Sequence, residues 1–393
     1  MMKILSINAG SSSLKFQLYE MPEEKVLISG LMERIGMEKS FYTIKINGEK
    51  IKKEVELKSH AEAFKALVKE LEVNNVVKSL SEIKGIGHRV VQGGDYFDKS
   101  VIINEDVLNK IDELSSLAPL HNPAAIVGIK AASEVFNNAI QTVVFDTAFH
   151  QTMKEENYLY ALPYTWYTEY KVRRYGAHGT SHKYVANRMN EILGTINTKL
   201  ITCHIGNGGS ISAVVNGKCV NTSMGLTPNA GLIMGTRCGD IDASIIPYIM
   251  EKTGMTTKEV DNAINKQSGL LAISKKSSDS RDIENGIKDG DKNCALAQKM
   301  FVKRVVDYIA KYYVEMNGCD AIVFTAGIGE NSIVTRCEII NSLGSLGIKL
   351  DKEANNTRGK EALISSKESL VKCYVIPTDE ELMIARDTLE LIK

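Results

Sequence analysis

The chain repeats one short device at half its length. Near its start, residues 3–7 read as a strand, Asn8-Ala9-Gly10-Ser11-Ser12-Ser13 as a tight polar turn, and residues 14–19 as a second strand. Leu14, Phe16 and Leu18 alternate there with Lys15 and Gln17, the period of a half-buried strand. Far downstream, residues 200–205 run into Gly206-Asn207-Gly208-Gly209-Ser210-Ile211-Ser212 and on into Ala213-Val214-Val215. Aligning Asn8-Ala-Gly-Ser-Ser-Ser with Asn207-Gly-Gly-Ser-Ile-Ser sets two copies half a chain apart, which predicts two related domains. The length, 393 residues, independently favours two.

Other strand candidates, residues 85–91, 142–145 and 321–324, end on polar or Gly-rich turns, as strands near ligands do in α/β sheets. Ser59-His60-Ala61-Glu62 reads as a capping box before a helix over 63–71. Asn122-Pro123 opens a helix reaching about 136, with Pro in its first turn. Residues 243–252, 258–265 and 294–316 carry one apolar face at helical spacing. Thr378-Asp379-Glu380-Glu381 predicts the cap of a final helix to 392, with Glu381 closing a capping box. Strands interleaved with helices argue for an α/β fold. No low-complexity linker marks the boundary, which is placed near Asp146.

Composition excludes several classes. Forty-eight Lys and Arg balance forty-eight Asp and Glu, so the basic excess of a nucleic-acid binder is missing. No apolar run reaches the roughly 18 residues that cross a bilayer. The polar turn at Asn8 arrives too early for a signal-peptide core. Seven cysteines, all past residue 200 and without a C-x-x-C pair, predict reduced, buried thiols rather than a zinc site. The expected setting is cytoplasmic, with no nucleic-acid or membrane partner.

Neither a Walker A loop nor a G-x-G-x-x-G fingerprint is present. Three other turns rich in Gly, Ser and Asn remain, at 8–13, 206–210 and 327–332. Glycine lets backbone N–H groups approach an anion, and Ser or Asn adds donors. One such turn is usually a hairpin; three, two of them matching, point to a phosphate cleft between two domains. Polar runs cluster around them: His88-Arg89, Asp146-Thr147, residues 173–182 with His178 and His182, and Gly235-Thr236-Arg237-Cys238-Gly239-Asp240. Taken singly, each histidine is more often a hydrogen-bonded structural residue than a functional one. Arginines flanked by glycine suit phosphoryl oxygens, since Gly makes room for a ligand.

Several of these stretches resemble the acetate kinase family: Asn8-Ala-Gly-Ser-Ser-Ser-Leu-Lys15-Phe, Asp146-Thr-Ala-Phe-His150, Arg173-Arg-Tyr-Gly-Ala-His178-Gly-Thr-Ser-His182, Thr222-Ser-Met-Gly225, Gly235-Thr-Arg237-Cys-Gly-Asp-Ile-Asp242 and Phe324-Thr-Ala-Gly-Ile-Gly-Glu-Asn331-Ser. They occur in order from residue 3 to Thr378-Asp-Glu-Glu-Leu382. The family belongs to the superfamily of sugar kinases, actin and heat-shock chaperones. The resemblance therefore implies two related actin-like, ribonuclease-H-like α/β domains with a ligand cleft between them. Their expected extents are 1–147 with 382–393 on the acyl side, and 148–381 on the nucleotide side.

The implied activity is reversible transfer of the γ-phosphoryl group of ATP to acetate, giving acetyl phosphate and ADP, with Mg²⁺ or Mn²⁺, in a homodimer. The catalytic residues implied are Arg89, Asp146, His178 and Arg237. Arg89 and Arg237 would hold carboxylate and phosphoryl oxygens, and His178 would donate to an equatorial oxygen. Asp146 matches the family's catalytic Asp, written there as a proton donor or acceptor, but with an ionised acceptor the physical reading is that it orients Arg89 or metal-bound water. Val91, Leu120, His121, Ala177 and Pro228 would line the acyl pocket. Lys15, His204, Ile205, Gly206, Asn207 and Gly208 would meet the phosphates. Asp279, Ser280 and Arg281, with Gly327, Ile328, Gly329, Glu330 and Asn331, would flank ribose and adenine. Asn8 and Glu380 would bind the metal. The sequence departs from the family pattern at Gln92 (usually His), Ala177 (usually Phe), Asn229-Ala230 and Ala243. Loss of the Phe ring at Ala177 predicts tolerance of a longer acid, propionate. An alternative reading is a propionate or butyrate kinase.

Overall fold

A computed structural model describes residues 1–119 and 121–393. Two compact units emerge: Met1–Gln151 together with Asp379–Lys393, and Thr152–Thr378. Among the described residues no helix is long and apolar enough to cross a membrane.

The first unit is built on β1 (Met2–Ala9), β2 (Ser13–Met21), β3 (Lys25–Glu33), β4 (Phe41–Ile46), β5 (Glu49–Glu54), β6 (Ile83–Val90), β7 (Val101–Ile102) and β8 (Ile140–Phe145). They form one sheet in the order β5-β4-β3-β2-β1-β6-β8-β7. β1 and β2 are the predicted hairpin, pairing antiparallel with Ile7 opposite Phe16. β6 runs parallel to β1, and β8 parallel to β6. Alternation along β6 separates two faces. Ile86 joins the core made with Phe64, Leu67, Leu71 and Ala132 of the helices His60–Val73 and Asn122–Val135. Gly85 and Gly87 face the last helix, Glu380–Ile392, where a Cβ on Gly87 would overlap Thr388 and Ile384. The chain's end thus closes the sheet laid down by its beginning.

The second unit repeats the plan with β9 (Lys199–Ile205), β10 (Gly209–Val215), β11 (Lys218–Thr222), β12 (Ala321–Thr325), β13 (Ala362–Leu363) and β14 (Lys372–Val375), ordered β11-β10-β9-β12-β14-β13. Here too an antiparallel meander, β9 to β11, is followed by strands added in parallel: β12 beside β9, and β14 beside β12. β1 and β9 therefore hold equivalent places, and so do the turns that follow them, as the alignment of the two motifs predicts. The core of this unit packs Phe301, Val305, Ile309 and Tyr312 of the helix Lys292–Glu315 against Ile201, Cys203, Ile322 and Phe324.

Two expectations need correction. The final helix is capped by Asp379, whose carboxylate accepts the N–H of Leu382, so no Thr378–Glu381 box forms. Glu381 instead pairs with Lys15 at 2.5 Å. Of the seven free thiols, Cys238, Cys319 and Cys337 are only half-buried.

Candidate active site

Parallel strands place their carboxyl ends along one edge of a sheet. In the first unit this edge gathers Asn8 from β1, Arg89 from β6 and Asp146 just beyond β8. The backbone N–H of Asp146 is tied to Val90 O at 2.9 Å, which fixes its position past the strand. Arg89 then donates to Asp146 twice, from Nε at 3.1 Å and from Nη2 at 2.5 Å, a fork on a carboxylate that is almost fully buried. Such two-pronged pairing fixes the guanidinium plane. Nη1 reaches Asn8 Oδ1 at 3.3 Å, and Nε lies 4.0 Å from Glu380 Oε2 at the start of the last helix. Burial works against the Arg89 charge, but Asp146 and Glu380 outweigh it and hold the group firmly protonated.

Among the described residues, the carboxylates of Asp146, Glu380 and Glu381 cluster here around Arg89 and Lys15. Burial pushes the Glu380 carboxyl up to about 7; Asp146 and Glu381 add to this and Arg89 opposes it. A cavity of about 310 Å³ opens beside the cluster, lined by Asn8, Lys15, Arg89, Val91 and His121 among others. Its walls are braced from below. The buried Asn122 amide accepts from Gln92 N at 3.1 Å and donates to Gln92 O at 3.0 Å, and Thr147 Oγ1 accepts from Gly93 N at 2.9 Å. His60 holds the carbonyl of Gly10 at 2.8 Å, which steadies the turn after β1. Among the described residues no group of three or more His, Cys, Asp or Glu is arranged to hold a metal ion.

In the second unit a larger cavity, about 540 Å³, is bordered by Gly206, Asn207, Asp279, Ser280, Arg281, Gly327, Ile328 and Asn331. Two of the three Gly/Ser/Asn turns read from the sequence, 206–210 and 327–332, therefore border one hollow together with the 279–281 stretch, whereas the third, 8–13, lies in the first unit beside the smaller cavity. Asn207 lies so close to Gly235 that a Cβ there would overlap its side-chain amide, and Gly235 N donates to Asn207 O at 2.9 Å. Asp279 caps the helix Ser280–Lys288 and pairs with Arg281 at 2.6 Å, which holds its carboxyl down at about 2. Gly329, Glu330 and Ile205 serve the frame. Gly329 O accepts from the buried Arg336 at 2.9 Å, Glu330 Oε1 accepts from Ala326 N at 2.8 Å, and Ile205 is in the core.

A second donor set lies at the other side of the Gly206–Gly208 turn. His178 stands at the start of the helix Gly179–Leu193 in the left-handed region, φ 59°, an uncommon conformation for a side chain larger than glycine. Its ring stacks on His204 with centroids 4.0 Å apart, and its Nδ1 lies 2.9 Å from Ser210 Oγ. A Cβ built on Gly208 would be 3.5 Å from Arg237 Nη1 and 3.8 Å from His178 Nε2, ordinary contact distances, so both groups face the same side of Gly208. Arg237 donates to Pro228 O at 3.3 Å and approaches Met234 Sδ, and burial lowers its pKa. Ala177 packs with Met224 and Met234.

A family model, the acetokinase family, matches residues 3–386. The chain belongs to the acetokinase family. It is 55% identical to an acetate kinase of Geobacillus sp. (strain WCH70) over all of this chain and 99% of that protein. Among solved structures, Porphyromonas gingivalis acetate kinase superposes with a TM-score of 0.95 at 44% identity, covering both chains completely. A propionate kinase from Francisella tularensis gives 0.93 at 46%, again over both chains.

Of the residues that the family resemblance assigns, Leu120 lies outside the described residues. Asn8, Lys15, Arg89, Val91, His121, Asp146 and Glu380 are gathered in the first unit; in the second, His178, His204, Gly208, Arg237 and Pro228 are gathered about the Gly206–Gly208 turn and are not among the residues that border the larger cavity. Sequence reasoning missed Glu284, Ser332 and Arg358, which also border that cavity, and Arg336 behind it. It also missed Ser210 and Thr202 as partners of the histidines. Hydroxyls inside strands carry no local signature; only the folding of the helix Gly179–Leu193 over β9 and β10 brings them to His178 and His182.

Proposed function

We propose that this acetokinase-family protein transfers the γ-phosphoryl group of ATP to acetate, yielding acetyl phosphate and ADP, reversibly and by direct in-line displacement. The observation that carries the reading is the Arg89 fork, clamped by Asp146 at the wall of a cavity of only about 310 Å³. Acetate is ionised at neutral pH, so no general base is needed, and catalysis reduces to positioning and neutralising charge. Asp146 occupies the Nε side of the guanidinium and leaves Nη1 to turn toward the acid or the phosphoryl oxygens. His178 and Arg237 supply further donors to the phosphoryl group. The 540 Å³ cavity, with Asn207, Asp279, Arg281 and Asn331, receives the nucleotide.

Asn8 Oδ1 and the Glu380 carboxylate are hard oxygen donors on either side of Arg89, beside the carboxylates of Asp146 and Glu381, and they fit a magnesium ion that keeps most of its waters. Manganese can substitute. When bound, the ion supplies charge neutralisation on the phosphate oxygens. The reading also takes the protein as a cytoplasmic homodimer. An exposed run in the second unit, Leu162, Tyr164, Trp166 and Tyr170, supports a covered surface of that kind.

Trapping with hydroxylamine tests the reaction. ATP, Mg²⁺ and acetate should give acetyl hydroxamate, and Arg89→Ala should lower the rate by about 10²–10³. Hydroxamate only from longer acids would transfer the reading to propionate or butyrate; none from any acid would overturn it.

A further inference from the structure

His178 does not stand alone: its ring ends a chain of four groups within the second unit. Thr202 Oγ1 lies 2.7 Å from His182 Nδ1, His182 Nε2 lies 2.7 Å from Ser210 Oγ, and Ser210 Oγ lies 2.9 Å from His178 Nδ1. Thr202, His182 and Ser210 are wholly buried. Proton positions are assigned from this network rather than observed. The Thr202 hydroxyl has one proton and two acceptors within reach, His182 Nδ1 at 2.7 Å and Ser212 O at 3.5 Å. An O–H···O contact of 3.5 Å is well beyond the usual range of about 2.5–3.0 Å, whereas the His182 contact is short, so the proton goes to His182.

The rest follows by valence. A neutral imidazole that accepts at Nδ1 carries its proton on Nε2. His182 therefore donates to Ser210 Oγ. Ser210 Oγ could accept a second bond, but it is wholly buried and His178 Nδ1 is its other partner, so its own proton goes to His178 Nδ1. His178, accepting at Nδ1, must carry its proton on Nε2, the atom that converges with Arg237 Nη1 on Gly208. We infer that Thr202, His182 and Ser210 are positioning residues that lock His178 in the Nε2–H tautomer, so that a neutral ring offers a donor beside Arg237. The catalytic use of that donor rests on the phosphoryl-transfer reading above; the tautomer itself does not.

The direct test is ¹⁵N NMR of the full-length protein labelled at histidine, with His178→Gln used only to assign its resonances. A proton-bearing Nε2 and a bare Nδ1 on His178 at neutral pH are expected. The opposite tautomer, or an imidazolium, would overturn the inference even if acyl phosphate is formed normally. Conversely, absence of any kinase activity would sink the functional reading and leave the tautomer result standing. Thr202→Val matches threonine in shape but removes the hydroxyl, whereas Thr202→Ser keeps it. Thr202→Val should populate the second His178 tautomer and lower kcat at least about tenfold with KM for ATP and acetate little changed; the wrong tautomer in a hydrolase triad has cost as much as ~10⁴. Thr202→Ser should restore both signals. Wild-type kcat and tautomer in Thr202→Val would refute the relay.

Discussion

His88 sits one residue before Arg89 on β6 and is a buried base whose cost can be measured. Its side chain is 2% exposed, with Nε2 2.7 Å from Gln141 Oε1. Burial pushes the imidazole down to about 4, and the Gln141 bond opposes this only partly. The folded pKa therefore lies below the ordinary value near 6.5. Between those values the unfolded chain binds a proton that the folded one refuses, so stability is complete above about 6.5 and falls as the pH drops toward 4. Each unit of pH in that window costs about 1.4 kcal/mol. Allowing for partial titration at the edges, acidification from pH 7 to 5 should remove about 2 kcal/mol through this one ring.

Other groups titrate over the same range, so the measurement is a difference. His88→Gln keeps an amide able to bond Gln141 and removes the titration. Urea unfolding followed by far-ultraviolet circular dichroism at pH 7, 6 and 5 should show the variant less sensitive to acid, the gap between the two proteins changing by about 2 kcal/mol. Parallel pH dependence in the two would mean that His88 is not held neutral by burial, and the reasoning would fail.

Other perturbations follow from the same geometry. Ala177→Phe adds a ring where Ala177 packs with Met224 and Met234, so it should cost about 1–3 kcal/mol of stability; if Ala177 also limits the acyl site, the propionate-to-acetate ratio of kcat/KM should fall, and an unchanged ratio removes it from that role. Gly87→Ala would overlap Thr388 and Ile384 of the last helix, with a loss of about 1–3 kcal/mol and a raised magnesium requirement as Glu380 shifts; a wild-type melting temperature would contradict this. Arg336, wholly buried and bonded to Gly329 O, Asn355 O, Asn355 Oδ1 and Thr357 O, cannot be replaced by lysine without stranding carbonyls. Arg336→Lys should raise KM for ATP and destabilise by about 1–3 kcal/mol, and an unaltered KM would detach it from the nucleotide cavity.

How far the sequence could be read depended on what kind of signal each feature leaves. The turns after β1 and β9 were legible because tight polar turns between alternating strands need particular residue types, and their equivalence in the two sheets follows. The helix Gly179–Leu193 was not, although Val185, Ala186 and Met189 are buried along it; its first turn, Gly-Thr-Ser-His, reads as a polar loop. β3 to β5 leave only a weak signal too, even though Tyr42, Ile44 and Ile46 alternate with Thr43 and Lys45. Glu381 is ambiguous in sequence because a capping motif and an ion pair use the same residue type, and only the packing of the last helix against β1 and β2 presents Lys15 to it. Gly85 and Gly87 looked like ordinary strand residues; their need for no side chain exists only once that helix arrives.

The two arginines that sequence reasoning paired are physically unlike. Arg89 has a buried carboxylate as its counter-ion, so its charge is already balanced and what remains is direction: a plane held by Asp146 with one edge to offer. Arg237 is bonded to a carbonyl oxygen and set near a thioether, with burial weakening its hold on the proton. Neither partner cancels its charge. An anion arriving at Arg237 therefore gains a poorly solvated cation, while one arriving at Arg89 must share with Asp146. Coulomb attraction in a half-buried site is several-fold stronger than in water, about 4 kcal/mol against 1 at 4 Å. On the proposed phosphoryl-transfer reading, this contrast assigns the highly charged phosphoryl group to Arg237 and the Nε2–H of His178 and leaves Arg89 chiefly to aim the singly charged acid.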